Sequence, residues 1–245
     1  MGNIGQLLAK TTRPEHPLVC FSRSYPHKTP PIAESISDLI KKSEIIFIST
    51  PSKTTLKLIE EIAPIAKGKI IINTSVGFTN QTLKKRIRHA RVIQLIPSMA
   101  AEDGAPAYFG YVSSKNEKRL LEKIFKNKIR IARFDDDDLA EATALISCLP
   151  AFIYAMIAKI IKNRRYNQTK KNHILTTITT TATSKVVREK ASGAFILRVR
   201  SKGGATEAGI NQMSKTGADN VLSNALDASA KNIKKRIKKY AGKIK

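Results

Sequence analysis

The chain has 245 residues, of which 42% are hydrophobic, and its formal charge is +25 because 44 basic residues outnumber 19 acidic ones. This length and apolar content predict two globular domains, and no uninterrupted apolar run approaches the roughly 18 residues of a membrane span. The basic residues are dispersed and only 6% of residues are aromatic, which does not favour specific nucleic-acid binding. Two distant cysteines in apolar surroundings predict free thiols in a cytoplasmic protein. The lack of a membrane-length apolar run predicts no membrane contact.

The first nine residues, MGNIGQLLA, contain a Gly-x-x-Gly motif that leads into a helix. In dinucleotide-binding folds the full G-x-G-x-x-G motif follows a strand and brings backbone amides to a pyrophosphate. Gly2 and Gly5 match its second and third glycines, so the first glycine and the first strand are missing from the printed sequence. We therefore expect the natural start to lie upstream of Met1.

An apolar stretch at residues 17–24, PLVCFSRS, predicts the second strand of such a unit. Ser22, Arg23 and Ser24 stand where these folds bind a ribose 2′-phosphate, and no acid is present there to bind a 2′-hydroxyl. This pattern favours NADP over NAD. The alternative is that Arg23 is an ordinary surface cation.

Helical and strand patterns then alternate as far as residue 98. The segments SEIIFISTP, KIIINTSVG and RVIQLIPS predict strands, and helices are expected at 36–42, 54–65 and 81–89. This order predicts a Rossmann-like, doubly wound parallel sheet, with AEDGAPAYFGYVSS and KIRIARF as its antiparallel far edge. Ligands bind at the carboxyl ends of such strands. The alternative for each residue there, taken singly, is that it only forms the turn after its strand. The strand ends contain Thr50, Pro51, Thr74, Ser75, Val76, Ile96, Pro97 and Ser98.

Strand patterns stop at about residue 135, which predicts two domains: 1–134, Rossmann-like and NAD(P)-binding, and 135–245, all-helical. The acidic run at 135–138 precedes a helical pattern, so it predicts a helix start and no metal site. A helical domain this small leaves apolar surface exposed, which predicts a homodimer or higher homo-oligomer.

Residues 201–210, SKGGATEAGI, place a glycine pair just before a predicted helix. Thr206 is the expected N-cap, and Glu207 lies in the first turn. Such a junction leaves backbone N–H groups available, so a small carboxylate is one predicted ligand. The alternative is a plain turn between two helices.

The segments GNIG, FSRS, IFISTP, SVGFT, VIQLIPS, TALISCLPAF, VRSKGGAT and LDASAKNIKK resemble the pyrroline-5-carboxylate reductase family over nearly the whole chain. The resemblance implies a Rossmann domain that binds NADP(H), with NAD(H) as the alternative, and a helical domain that interlocks with that of a second subunit. It also implies an enzyme of proline biosynthesis, an oxidoreductase that reduces the cyclic imino acid 1-pyrroline-5-carboxylate to L-proline.

The resemblance also assigns residues by position. Thr206 is the catalytic candidate, because it would hydrogen-bond the ring nitrogen of the substrate. The cofactor-binding set runs from the pyrophosphate through the adenosine end to the nicotinamide and comprises Gly2, Asn3, Ile4, Ser22, Arg23, Ser24, Thr50, Pro51, Thr74, Ser75 and Val76. The substrate-binding set comprises Glu189, Ser201, Gly203, Gly204, Ala205 and Thr206.

Several positions depart from the family pattern. Residues 98–100 replace Asn-Thr-Pro, residues 146–150 replace Ser-Gly-Ser-Gly-Pro, and Lys202 replaces a proline. Thr50 stands in place of a lysine, and residues 196–197 in place of a Lys-Asp pair. Some departures are closer to the family's ComER-type late-competence branch. Two alternative hypotheses follow: a non-catalytic regulatory homologue that keeps the fold, and a reductase for a different imine.

Overall fold

The computed structural model describes residues 2–12, 16–22, 31–98, 107–126, 129–182, 202 and 204–243. The chain forms two compact units, residues 1–148 with 227–245, and residues 149–226. The strands are β1 (Ile45–Ile48), β2 (Ile70–Asn73), β3 (Arg91–Ile96), β4 (Ala107–Val112) and β5 (Ile129–Phe134). The helices are α1 (Asn3–Thr12), α2 (Ile36–Lys42), α3 (Ser52–Ile62), α4 (Asn80–Arg86), α5 (Lys115–Ile124), α6 (Leu139–Thr143), α7 (Leu149–Lys162), α8 (Gln168–Ala182), α9 (Ala205–Thr216) and α10 (Ala218–Ala241).

The five strands form one sheet in the order β1-β2-β3-β4-β5. Strands β1, β2 and β3 are parallel, β4 is antiparallel to β3, and β5 is parallel to β4. This confirms the predicted parallel sheet and its antiparallel far edge. Within the described part of the chain, β1 is one edge of this sheet.

Helices cover both faces of the sheet because successive strand residues point to opposite sides. Ile72 packs with Leu7 of α1 and Leu121 of α5, whereas its neighbour Ile71 packs with Ile59 of α3 and Leu83 of α4. These six side chains are fully buried. The doubly wound arrangement predicted from the alternating patterns is confirmed.

Residues 17–22, the described part of the predicted strand at residues 17–24, form less strand than the sequence predicts. Cys20 makes one parallel bridge with Ile32, in which its N–H donates to Pro31 O at 2.8 Å and its carbonyl accepts from Ala33 N–H at 2.7 Å. Pro31 has no N–H with which to continue the ladder, which explains the short pairing. Both cysteines are free thiols and half-buried, and burial raises the pKa of the Cys20 thiol.

A continuous helical run covers Leu139–Lys162, because one π-helical turn at Ala144–Cys148 joins α6 to α7. By length and composition alone this 24-residue run is apolar enough to cross a membrane. The count of uninterrupted apolar residues missed it, because Glu141 and the lysines at its end break the run without breaking the helix. One such helix is weak support for a span, so the expectation of no membrane contact stays a prediction.

Candidate functional site

The carboxyl ends of the three parallel strands lie side by side because the strands are in register. Asn73 at the end of β2 pairs with Ile48 at the end of β1 and with Gln94 in β3. Thr74 continues this alignment, since its N–H and its hydroxyl both donate to Ile48 O, at 2.9 and 3.1 Å. The predicted strand-end residues after β1 and β2 are thereby brought together at one edge of the sheet.

A hydroxyl network fixes the turn that leads from β1 into α3. The Thr50 and Thr55 hydroxyl oxygens lie 2.8 Å apart, and Thr55 also donates to Thr50 O at 3.0 Å. Pro51 is exposed and immediately precedes α3, whose first residue, Ser52, donates its hydroxyl to Val76 O at 2.5 Å. The turns after β1 and β2 are therefore hydrogen-bonded to each other.

Asn73, Gln94 and Ser75 form a buried polar cluster beside these turns. The sequence analysis did not predict this cluster. The Asn73 side-chain amide donates to Gln94 Oε1 at 2.6 Å and to Ser75 O at 3.0 Å. Asn73 and Gln94 are 0% and 3% exposed. Their signal in the sequence is a single uncharged polar residue within each of two largely apolar strands, IIIN and RVIQLI.

Ser75 has the one orphaned hydroxyl in this group. The residue is 5% exposed, and its Oγ has no hydrogen-bond partner within the described parts of the chain. A buried hydroxyl without a partner costs free energy, so such a group is a candidate ligand contact. It lies in the predicted nicotinamide-bordering segment, residues 74–76.

The end of β3 is tied to the π-helical turn. Pro97 follows β3 directly, and its carbonyl accepts the Ser147 hydroxyl at 3.3 Å. Ser147 lies within residues 146–150, where the sequence departs from the family pattern. Single π-helical turns within α-helices occur often at functional sites. The segment at residues 146–150, which departs from the family pattern, therefore lies beside the end of β3.

The predicted pyrophosphate segment is the start of α1. Gly2 is exposed immediately before the helix, and Asn3 and Ile4 form its first turn. A Cβ built on Gly2 meets no atom of the described residues within 4 Å, so those residues leave the approach to these backbone amides open. Ser22 is half-buried at the end of its described segment. Arg23 and Ser24 lie outside the described residues.

The predicted carboxylate-binding loop lies in the second unit, at the start of α9. Gly204 is the N-cap, with φ −83° and ψ 168°, and Ala208 N–H donates to its carbonyl at 3.1 Å. The prediction that Thr206 is the N-cap is wrong, because Thr206 already lies in the first helical turn, where it is exposed. Three other members of the predicted substrate-binding set lie outside the described residues: Glu189, Ser201 and Gly203.

The chemistry of these groups is that of binding and orientation. The described strand-end residues offer hydroxyls and backbone N–H and C=O groups, which hold a ligand without titrating near neutral pH. Among the residues that the structure describes, no group of three or more His, Cys, Asp or Glu side chains is placed to hold a metal ion.

Comparison with known proteins shows what the chain is similar to. Residues 136–236 match the family model described as pyrroline-5-carboxylate reductase dimerisation. Pyrroline-5-carboxylate reductase 2 of Bacillus subtilis (strain 168) is 24% identical, over 97% of this chain and 91% of its own length. The chain is therefore similar to pyrroline-5-carboxylate reductases over most of its length. The family's enzyme from Pisum sativum is also 24% identical, over 82% of this chain and 76% of its own length.

A solved structure shows the same fold. Plasmodium falciparum pyrroline carboxylate reductase, crystallised with NADP bound, superposes with a TM-score of 0.82 at 22% sequence identity. The match covers 96% of this chain and 95% of that one. The Rossmann-like sheet followed by a helical C-terminal region is therefore the fold of pyrroline-5-carboxylate reductases.

Proposed function

We propose that this chain is an NADPH-dependent pyrroline-5-carboxylate reductase, which reduces 1-pyrroline-5-carboxylate to L-proline in proline biosynthesis. The observation that carries the proposal is the match of residues 136–236 to the dimerisation model of this family. It is supported by the near-complete alignment with the Bacillus subtilis enzyme. The departures at residues 98–100 and 146–150 keep a reductase for a different imine as the alternative.

The residues at the strand ends fit a dinucleotide. The partnerless Ser75 hydroxyl needs a polar group at the carboxyl end of β2, and the open approach at Gly2 suits a pyrophosphate. NADP(H) is the proposed cofactor, with NAD(H) as the alternative, because the Plasmodium falciparum relative was crystallised with NADP. Thr50, Pro51 and residues 74–76 would hold the nicotinamide end, and Ser22, Arg23 and Ser24 the adenosine end.

The protein's part in the reaction is to anchor and orient the imino acid. Bound NADPH supplies the hydride. The backbone N–H groups of Ala205 and Thr206, in the first turn of α9, bind the substrate carboxylate, with Glu189, Ser201 and Gly203 completing the substrate set. The Thr206 hydroxyl accepts a hydrogen bond from the protonated imine nitrogen, which keeps the proton on that atom. Positioning of this kind contributes most of the rate in such a site.

We further propose that the enzyme is a cytoplasmic homodimer. The matched family model is one for dimerisation, and several apolar side chains of α7 are exposed on the single chain. A domain boundary at residues 134–135 agrees with the start of that match at residue 136. Residues 135–245 would then pair with the same residues of a second copy.

The test is the replacement of Thr206 by Ala, with Thr206→Ser as the conservative rescue. Loss of one hydrogen bond to a charged nitrogen, worth roughly 1.5–3 kcal/mol, lowers kcat about 10- to 150-fold. The assay follows NADPH oxidation with 1-pyrroline-5-carboxylate, and NADPH affinity is measured separately by fluorescence. Thr216→Ala is the matched control, since Thr216 is an exposed residue at the other end of the same helix. An unchanged rate in Thr206→Ala removes this residue from the mechanism, and a wild-type protein that binds NADPH without turnover favours the regulatory homologue.

A further inference from the structure

The loop between β2 and α4, residues 74–79, is held by elements that are distant from it in the sequence. We call it the β2–α4 loop. Its first residues are those proposed to border the nicotinamide, and Ser52 donates to Val76 O in its middle. Two further contacts hold the loop, one at the start of α4 and one at the turn through Gly77. Neither contact involves a residue of the predicted site.

Asp136 holds the start of α4. Its two carboxylate oxygens accept the N–H groups of Asn80 and Gln81, at 2.7 and 2.8 Å, from 56 and 55 residues away. Hydrogen bonds to a carboxylate at a helix N-terminus gain both from the charge and from the helix dipole. The local cap is satisfied separately, because the Thr79 hydroxyl accepts Thr82 N–H at 3.1 Å. Asp136 therefore adds a long-range anchor to a helix start that already has its own cap.

The other members of the acidic run do not share this role. Asp135 pairs with Arg133 at 2.6 Å, and Asp137 and Asp138 are exposed. Asp138 precedes α6 without a side-chain capping bond. Asp136 is thus the member of the run whose carboxylate bonds to the start of α4, directly after the β2–α4 loop.

The end of α10 packs against the β2–α4 loop. The Tyr240 ring stacks on Phe78, with ring centroids 5.2 Å apart and an interplanar angle of 28°. Gly77 has φ +102°, and a Cβ built on it would lie 2.9 Å from Tyr240 Cδ2. The aromatic ring therefore packs directly on the backbone at the turn of the loop, where no side chain fits.

We propose that Asp136 and Tyr240 are positioning residues that hold the β2–α4 loop in the shape that receives the nicotinamide end of the cofactor. Asp136 bonds to the first residues of α4, directly after the loop, and Tyr240 packs on Gly77 and Phe78 within it. The proposal rests on the proposed function, since that function makes residues 74–76 part of the cofactor site. Loss of either anchor frees the loop, so cofactor affinity falls while the carboxylate anchor at α9 is left intact.

Amide hydrogen exchange on the full-length chain tests the anchoring directly. In Asp136→Ala, exchange at residues 80–81 and in the β2–α4 loop becomes faster than in the wild type. Asp136→Asn keeps one acceptor oxygen and gives an intermediate rate. Tyr240→Ala speeds exchange at residues 77–79, whereas Tyr240→Phe keeps the stacked ring and matches the wild type. Asp137→Ala, an exposed neighbour, is the control and leaves the loop unchanged.

Cofactor titration and kinetics test the consequence. In Asp136→Ala and Tyr240→Ala, the Kd and KM for NADPH rise by roughly 3- to 10-fold, as expected for one or two weakened contacts, while the KM for the imino acid is unchanged. The positioning role is overturned if these variants show faster amide exchange in the loop but bind NADPH as tightly as the wild type. It is also overturned if their amide exchange equals that of the wild type. Wild-type protein that fails to bind NADPH overturns the proposed function itself, which separates the two failures.

Discussion

Gly77 is the position at which adding a single methyl group should most disturb the β2–α4 loop. Its φ of +102° lies in the region that side chains of L-residues rarely adopt. A Cβ there would lie 2.9 Å from Tyr240 Cδ2 and 3.2 Å from Arg236 Cβ, both closer than the usual contact of about 3.5–4 Å between carbon atoms. Gly77→Ala therefore combines backbone strain with steric overlap.

The two costs can be separated because the chain contains a second glycine with positive φ. Gly68 has φ +75°, and a Cβ built on it meets nothing within 4 Å. Gly68→Ala thus carries only the backbone cost, roughly 1–2 kcal/mol. Gly77→Ala adds an overlap cost of about 1–3 kcal/mol, by analogy with overpacked cores, for a total of roughly 2–5 kcal/mol.

The assay is urea-induced unfolding at one fixed protein concentration, which keeps any subunit association the same for all variants. Gly77→Ala should lower the unfolding midpoint more than Gly68→Ala does. In the double variant Gly77→Ala with Tyr240→Ala the extra cost should largely disappear, because the overlapping ring is gone. Equal costs for the two glycine variants, or no relief in the double variant, would refute the claim that Tyr240 packs on the loop backbone.

Two further predictions concern groups away from Gly77. Asn73→Ala leaves the buried Gln94 Oε1 without its donor and should cost about 1–3 kcal/mol by urea unfolding, whereas Asn73→Leu with Gln94→Leu should cost less than the sum of the single changes. Burial opposes ionisation of Glu117, but hydrogen bonds from Ser114 and Arg91 outweigh it and lower the pKa of that carboxyl below 4.5 in the folded state. The stabilisation of the folded state by the Glu117 carboxylate is therefore present above pH 4.5 and lost as the pH falls through the folded-state pKa. Glu117→Gln should flatten the fall of the melting temperature in acid, and an unchanged slope would contradict this.

The sheet could be predicted because its strands are buried on both faces. IIFI, IIIN and RVIQLI are nearly continuous apolar runs, as parallel strands between two helical layers must be. The helices between them follow from amphipathic spacing, and α2 has the predicted bounds. Helices α3 and α4 begin and end within a few residues of the prediction. Local pattern and tertiary burial agree in this part of the chain.

The finer features of the site depend on distant contacts or on backbone angles, which local patterns do not encode. The acidic run predicted only a start for its own helix, whereas Asp136 caps α4 through a contact across 56 residues. Thr206 is a good capping residue by type, yet Gly204 has the extended dihedral angles that define the N-cap. Asn73 and Gln94 find each other only once β2 and β3 are in register.

The exposed apolar surface of α7 is better explained by a second protein helix than by a bilayer. The first part of the Leu139–Lys162 run is already engaged, because Leu139 and Ala142 pack in a core cluster and Ser147 bonds to Pro97 O. The 14 residues of α7 that remain extend about 21 Å, short of the ~30 Å hydrocarbon core. Its exposed Ile153, Met156 and Ile160 recur at intervals of three and four residues, the spacing of one helix stripe. A stripe of this width matches another helix, and the match of residues 136–236 to a dimerisation family supports the proposal that a second copy of the chain buries it.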